Sequence, residues 1–312
     1  VNASPLTRRS ALKLLGAATT TLTLSPWRAV AASTADAVSK AIPATGERIP
    51  VIGMGTWRTF NVGSDPVLRD ARTEVLKAFF DAGGGMVDNS PMYGSAQEVV
   101  GYGLRKLGRP PTLFAAEKIW TDDGTKTREQ AAQTSARWGV ETLDLLQIHN
   151  LAAWQDHLPA LRRMKEEGKI RYLGITTSHG SRHAAFEQIM KTEPLDFIQV
   201  TYNLTHRQVE QRLLPLAADR GIAVIANRPF DGGTLVKRLK ARNARLPEWA
   251  AEIDCKTWAD FLLKFVVSHP ALTCAIPATS NVEHLRENMA ARLGRMPDAS
   301  TRERMVRHVE AL

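Results

Sequence analysis

Cysteine is nearly absent from this sequence: Cys255 and Cys274 are the only two in 312 residues. No CxxC pair occurs, so neither a disulfide framework nor a structural zinc site is suggested, and a single bridge between the two stays open. Long hydrophobic runs are missing as well. The mildly apolar stretch from Leu14 to Leu24 is too short and too rich in Gly and Thr to span a bilayer, and no later run reaches the length of a membrane helix. A GxGxxG fingerprint is also lacking, since "GMGTWR" and "GYGLRK" each carry the first two glycines without the third. That makes a doubly wound open sheet the second choice of fold. What is present is ordinary globular chemistry, 44% hydrophobic and 23% charged, enough for one large domain or two small ones.

The N-terminal stretch "TRRSALKLLGAATTTLTLSPWRAVAAS" has to be set aside before a fold is read. Paired Arg8 and Arg9, a segment of small and apolar residues and an Ala-x-Ala site at Ala29 to Ala31 resemble a twin-arginine export signal, with Ala11 where that pattern usually has Phe. The expectation is a leader over 1–32 that is removed, with a retained anchor as its rival. It implies passage through the twin-arginine export machinery, a periplasmic or exported product and no stable membrane insertion. The leader carries Arg8, Arg9, Lys13 and Arg28 and no acid, so nearly half of the formal +9 charge leaves with it. The rest is modest and scattered. Its one basic cluster, "ARLGRMPDASTRERMVRH", reads as a solvated helix face rather than a nucleic-acid site.

From about residue 45 onward, eight short apolar runs alternate with amphipathic segments. The runs are "PVIGMGTW", "GGMVDN", "TLFAAEK", "LDLLQIH", "IRYLGITT", "LDFIQVTY", "IAVIAN" and "LTCAIPAT". Segments such as "PVLRDARTEVLKAFFDAG", "TKTREQAAQTSARWG", "WQDHLPALRRMKEEGK" and "HRQVEQRLLPLAADRG" carry apolar residues at spacings of three and four, and several end in Gly. Near-continuous apolar strands alternating with helices imply a parallel sheet covered on its outside. Eight such units fit a closed (β/α)₈ TIM barrel, a single domain over 45–312. The segment from Phe230 to Asp254 is long and charged, and is expected as an excursion on the rim.

Functional side chains of such a barrel sit where strands end. Those positions hold Asp88, Tyr93 in the loop that follows, Lys118 and His149. Lys118 directly continues "LFAAE", so its ammonium ends a buried strand and needs a partner; strand order makes Asp88 the nearest candidate. A free tyrosine titrates near roughly 10, and a cation beside its oxygen favours the phenolate. At about 4 Å and an effective dielectric near 20, one unit charge contributes roughly 4 kcal/mol, enough to lower that value by two units or more. Asp88 would hold Lys118 charged, a neutral His149 would donate to a carbonyl oxygen, and Tyr93 would act as general acid. That set lacks only a hydride.

In this combination and order the chain resembles the aldo-keto reductase family over its whole length after the leader. "VDNSPMYGSAQEVVGYGL" is similar to the family's first signature, which matches Asp88 and Tyr93, while "EKIW" and "LQIHN" match Lys118 and His149. The resemblance implies a barrel that reduces a small-molecule carbonyl with NADP(H), NAD(H) being the alternative. It places the backbone of Gly55, Thr56 and Trp57 beside the nicotinamide ribose. Thr176 and Thr177 stand where the family has a Ser-Asn pair for the carboxamide, and Gln199 matches its amide-binding glutamine. Asn227 occupies the usual stacking position, with Phe230 or Trp57 as substitutes, and Arg228 is placed to meet the pyrophosphate. In "IPATSNVEHLREN", Thr279, Ser280 and Asn281 correspond to the adenosine-phosphate segment, Glu287 and Asn288 to the adenine side. Ala278 and His284 replace the lysine and arginine that often bind the 2′-phosphate.

His179 and His183 have the spacing of a metal pair but straddle a Gly-Ser turn without a third ligand, so no metal is expected. Trp138, Trp249 and Trp258 read as packing residues, and Trp154 as a residue over the pocket. The short "NLAAWQDHL" and the few residues after the last helix suggest an open pocket. The rival function is a nucleotide-binding sensor or regulatory subunit with the same barrel and little turnover, motivated by Thr176, Asn227, Ala278 and His284. A cofactor-free hydrolase would need a nucleophile or metal site that the sequence does not offer.

Overall fold

The structure is a computed structural model that describes residues 37–312, so the leader expected over 1–32 lies outside the described residues. Each apolar run forms a strand: β3 (Met54–Gly55), β4 (Met86–Asp88), β5 (Phe114–Ile119), β6 (Leu143–Ile148), β7 (Ile170–Thr176), β8 (Phe197–Thr201), β9 (Ala223–Asn227) and β10 (Cys274–Ala275). They pair in parallel in chain order. Bridges from Ile52 to Ala275 and from Gly55 to Ala278 join the last strand to the first, so the sheet is a closed barrel. Gly55 is required at that seam, because a Cβ there would lie 2.8 Å from the Ile276 carbonyl oxygen.

A feature the apolar pattern does not announce precedes the barrel. β1 (Ser39–Ala41) and β2 (Arg48–Pro50) form an antiparallel hairpin whose Ile42 and Ile49 are buried with Phe114, Tyr172 and Phe197. Lys40 Nζ donates to the carbonyls of His269 (2.7 Å) and Leu272 (2.6 Å), just ahead of β10. The hydroxyl of Tyr172, near the start of β7, lies 2.7 Å from Thr45 Oγ1. The hairpin therefore closes the barrel at the end where the strands begin.

The helices wrap the outside: α1 (Pro66–Asp81), α2 (Ala96–Lys106), α3 (Thr127–Trp138), α4 (Trp154–Glu166), α5 (His183–Thr192), α6 (Leu213–Arg220), α7 (Thr234–Ala241), α8 (Trp258–Val267), α9 (Val282–Ala290) and α10 (Ala299–Glu310). Their ends follow local chemistry. Asp65 accepts from the amide of Leu68 ahead of Pro66, and Gly139 and Gly221 terminate α3 and α6 at positive φ. The helix expected across 206–221 is split into a 3-10 turn over Gln208–Gln211 and then α6. This start leaves Pro215 in the first turn of α6, where its missing N–H costs no hydrogen bond. The excursion after β9 consists of a 3-10 turn, Asp231–Gly233, then α7 and a second 3-10 segment, Glu248–Ile253.

Alternation along the strands separates two layers inside the barrel. Phe114, Ala116 and Lys118 point inward from β5, Leu145 and Gln147 from β6, Tyr172 and Thr176 from β7, and Phe197 and Gln199 from β8. Every series runs from apolar at the strand start to polar at the strand end. Cys274 lies in the apolar layer, Cys255 in the outer shell; both are buried free thiols, so the bridge left open by the sequence does not form.

Candidate active site

At the polar ends of the strands lies a cavity of about 550 Å³, walled by residues that include Trp57, Tyr93, His149, Thr176, Gln199 and Asn227. Below it sits a buried ion pair. Lys118 Nζ donates to Asp88 Oδ2 at 2.6 Å and to the Asn89 carbonyl at 2.7 Å, with both side chains almost completely withdrawn from solvent. The other carboxylate oxygen, Asp88 Oδ1, accepts from Gln199 Nε2 at 2.7 Å. These bonds answer the desolvation of a buried pair, which a lone Coulomb attraction would not. Burial pulls the Lys118 ammonium toward deprotonation, but the charge of Asp88 and its hydrogen bond outweigh it, and the Lys118 pKa ends above the usual lysine value. Lys118 is therefore a fixed cation.

Tyr93 lies over that cation, its ring centroid 5.3 Å from Lys118 Nζ. It meets the His149 ring edge to face, with centroids 5.9 Å apart and planes at 88°. The proton balance at Tyr93 differs from the sequence expectation. Burial raises its pKa, Asp88 and Glu117 add to the rise, and the opposing charge of Lys118 does not overcome them. The phenol thus stays protonated. His149 goes the other way: burial first, then Lys118 and Arg182, push its pKa down to about 3, so the imidazole is neutral at physiological pH. Its ring is held by Ser90, whose Oγ lies 2.8 Å from His149 Nδ1. The backbone after it is tightly turned, with Asn150, Leu151 and Ala153 at positive φ.

The far wall is a chain of hydrogen bonds. Asn227 Nδ2 donates to the Thr177 carbonyl (3.2 Å) and to Gln199 Oε1 (3.3 Å), and Thr201 Oγ1 donates to Asn227 Oδ1 (2.8 Å). Thr176 Oγ1 reaches the same Gln199 oxygen at 3.5 Å. At the rim, the guanidinium of Arg58 lies 4.2 Å from the Trp57 ring centroid and that of Arg228 lies 6.0 Å from it. Arg228 Nε is buried without a hydrogen-bond partner among the described residues. Phe230, Gly55, Thr56 and Ala278 complete this side. Thr279, Ser280, Asn281, His284, Glu287 and Asn288 lie past the cavity, around the start of α9. There Asn281 Oδ1 accepts from the amide of His284 at 3.0 Å and Thr279 Oγ1 from that of Asn281 at 3.1 Å. Asn288 is buried, Glu287 half-buried, and Ser280 and His284 are exposed.

Residues 51–303 match the family model described as the Aldo/keto reductase family. The chain belongs to the aldo/keto reductase family. Among relatives, it is 27% identical over 246 residues to methylglyoxal reductase YeaE of Escherichia coli, spanning 78% of this chain and 85% of that protein. Among solved structures, it resembles the thermostable aldo-keto reductase Tm1743 in complex with the inhibitor epalrestat, at 26% identity and a TM-score of 0.72, covering 87% of this chain and 99% of that one. It also resembles an aldo-keto reductase of Klebsiella pneumoniae in complex with NADPH, at 24% identity and a TM-score of 0.69, over 87% and 95%.

Within this aldo/keto reductase, several expectations change. Trp154 does not line the cavity; it packs partly buried against the core, because the turn at Ala153 directs the chain into α4. The Asn227 amide is tied into the wall by its bonds to Thr177, Gln199 and Thr201. The basic C-terminal cluster is not simply a solvated face: Arg302 turns inward to the Tyr202 hydroxyl (2.5 Å) and Glu210 (3.0 Å), and Arg292 is buried against the carbonyls of Ala82 and Gly83. Ser90, Gln147, whose Nε2 lies 3.5 Å from Asp88 Oδ1, and Glu117, the buried neighbour of Lys118 on β5, were not singled out from sequence. Gln147 had a readable signal, two residues before His149 and so on the same inner face; Ser90 and Glu117 had none, because their roles depend on neighbours from other strands and helices.

Proposed function

We propose that this chain is an exported NADP(H)-dependent reductase, with NAD(H) as the alternative cofactor, that converts an aldehyde or ketone to an alcohol by hydride transfer with Tyr93 as general acid. Family membership supports the reaction class. The observation that carries the reading is the buried Asp88–Lys118 pair beside Tyr93, at the floor of a cavity that Tyr93 shares with a neutral His149.

The residues present fit a nicotinamide dinucleotide. Thr176, Gln199 and Asn227 would hold the carboxamide, with the Thr177 carbonyl tied into the same wall, and Trp57 and Phe230 offer apolar faces near Gly55 and Thr56. Arg228, with its orphaned Nε, would meet a pyrophosphate. The start of α9, with Thr279, Ser280 and Asn281, suits a phosphate, and His284, Glu287 and Asn288 flank the adenosine end. When bound, the cofactor supplies the hydride. His149 donates a hydrogen bond to the carbonyl oxygen, and Tyr93 gives up its proton as that oxygen gains negative charge. Burial keeps the proton on Tyr93 until then, and Lys118, held by Asp88, stabilises the phenolate left behind.

Purified protein is expected to oxidise NADPH or NADH with an aldehyde and ketone panel, including methylglyoxal in view of the named relative. Tyr93→Phe is expected to lower kcat by at least about a hundredfold while sparing cofactor binding. Full turnover in that variant would sink the role given to Tyr93, and nucleotide binding without turnover in the wild type would favour the sensor reading. The leader over 1–32 supports delivery to the periplasm by the twin-arginine route.

A further inference from the structure

The hydroxyl of Ser90 sits in a fully enclosed position near the start of the loop that follows Asp88, and no role attaches to it in the chemistry above. Its hydrogen bonds can be enumerated. The amide of Met92 donates to Ser90 Oγ at 3.2 Å, which occupies one lone pair. The remaining contact is His149 Nδ1 at 2.8 Å, where either atom is a formal donor. If Nδ1 carried a proton, Ser90 Oγ would accept twice and its own O–H would have no acceptor among the described residues. An orphaned hydroxyl proton without access to water is costly, since its lost hydrogen bond to solvent is not replaced. The arrangement with every group satisfied has the serine O–H donating to a bare Nδ1. A neutral imidazole then keeps its single proton on Nε2, the nitrogen with no hydrogen-bond partner among the described residues.

We infer that Ser90 is a positioning residue that sets the tautomer of His149, leaving Nε2–H as a pure hydrogen-bond donor to whatever oxygen enters the cavity. The ring can then polarise a carbonyl but cannot accept a proton from the substrate, and a ligand presenting a donor at that point is rejected. The consequence rests on the reductase reading above, whereas the tautomer itself does not.

The test reads the nitrogen shifts of His149 directly, by long-range proton–nitrogen correlation on ¹⁵N-histidine-labelled protein, assigned by the signal lost in His149→Gln. Wild type is expected to show one tautomer, with the proton on Nε2, across pH 5 to 8. Ser90→Ala is expected to show a mixture of tautomers and a kcat lowered about tenfold with little change in KM, and Ser90→Thr, which keeps the hydroxyl, is expected to restore both. A wild-type His149 protonated on Nδ1 overturns the inference without any variant having to fold. A Ser90→Ala protein with a pure Nε2–H signal and wild-type kcat overturns it as well. Because the spectrum needs no turnover, an inactive wild type with the expected tautomer would count against the functional reading alone.

Discussion

Glu117 and Lys118 are neighbours on β5 that face opposite sides of the sheet, and they show how one strand can carry two charges to different ends. Lys118 turns into the barrel, where Asp88 meets it. Glu117 turns outward under α2 and α3, where Gln97 Nε2 donates to it at 3.0 Å and the backbone amide of Lys118 at 3.0 Å. No cation bonds it there among the described residues, and burial pushes its pKa up to about 7. The folded state thus holds this proton more tightly than the unfolded chain does. Its contribution to stability is fully present below the ordinary carboxylate value and is lost as pH rises through about 7, by roughly 3 kcal/mol in total. Buried neutral histidines such as His149 work in the opposite sense over this range, gaining stability as pH rises, so the difference between two proteins isolates Glu117. The urea midpoint of Glu117→Gln, which keeps the shape without the charge, is expected to rise relative to wild type between pH 5 and pH 8; a difference that does not change with pH would show that Glu117 does not titrate there. Neither this balance nor that at Tyr93 was legible in the sequence, since both depend on how burial compares with charges from other strands. The partnership of Asp88 with Lys118 was legible, because adjacent parallel strands bring their ends together.

Among the elements, the eight barrel strands were legible because buried parallel strands are apolar on both faces. The β1–β2 hairpin was not, because three-residue strands bearing Lys40 and Arg48 leave no such mark. Its worth lies in Ile42 and Ile49, which fill the barrel where the strands start. Ile42→Ala is expected to cost about 2–5 kcal/mol of unfolding free energy. Because the hairpin lies at the opposite end from His149 and Tyr93, kcat of that variant at 25 °C is expected to stay within about twofold of wild type, against an energetic cost several RT in size. A large loss of kcat without loss of stability would mean that the two ends of the barrel are coupled.

For the molecule as a whole, export and a cytoplasmic cofactor meet in a single prediction. The twin-arginine route moves folded proteins, so a barrel that has already taken up its nucleotide can carry it across. Protein from the periplasmic fraction is expected to lack residues 1–32 and to release NADP(H) on denaturation, as read by intact-mass and nucleotide mass spectrometry. An uncleaved leader with no nucleotide would count against both halves of that proposal. Traffic through the site follows from the hairpin. Among the described residues, Ile42, Ile49 and the aromatic rings of Phe114, Tyr172 and Phe197 seal one end of the barrel, and the cavity opens at the other. Whatever settles deepest has to arrive first and depart last, so the plug at the floor dictates the order in which two ligands can share the cavity.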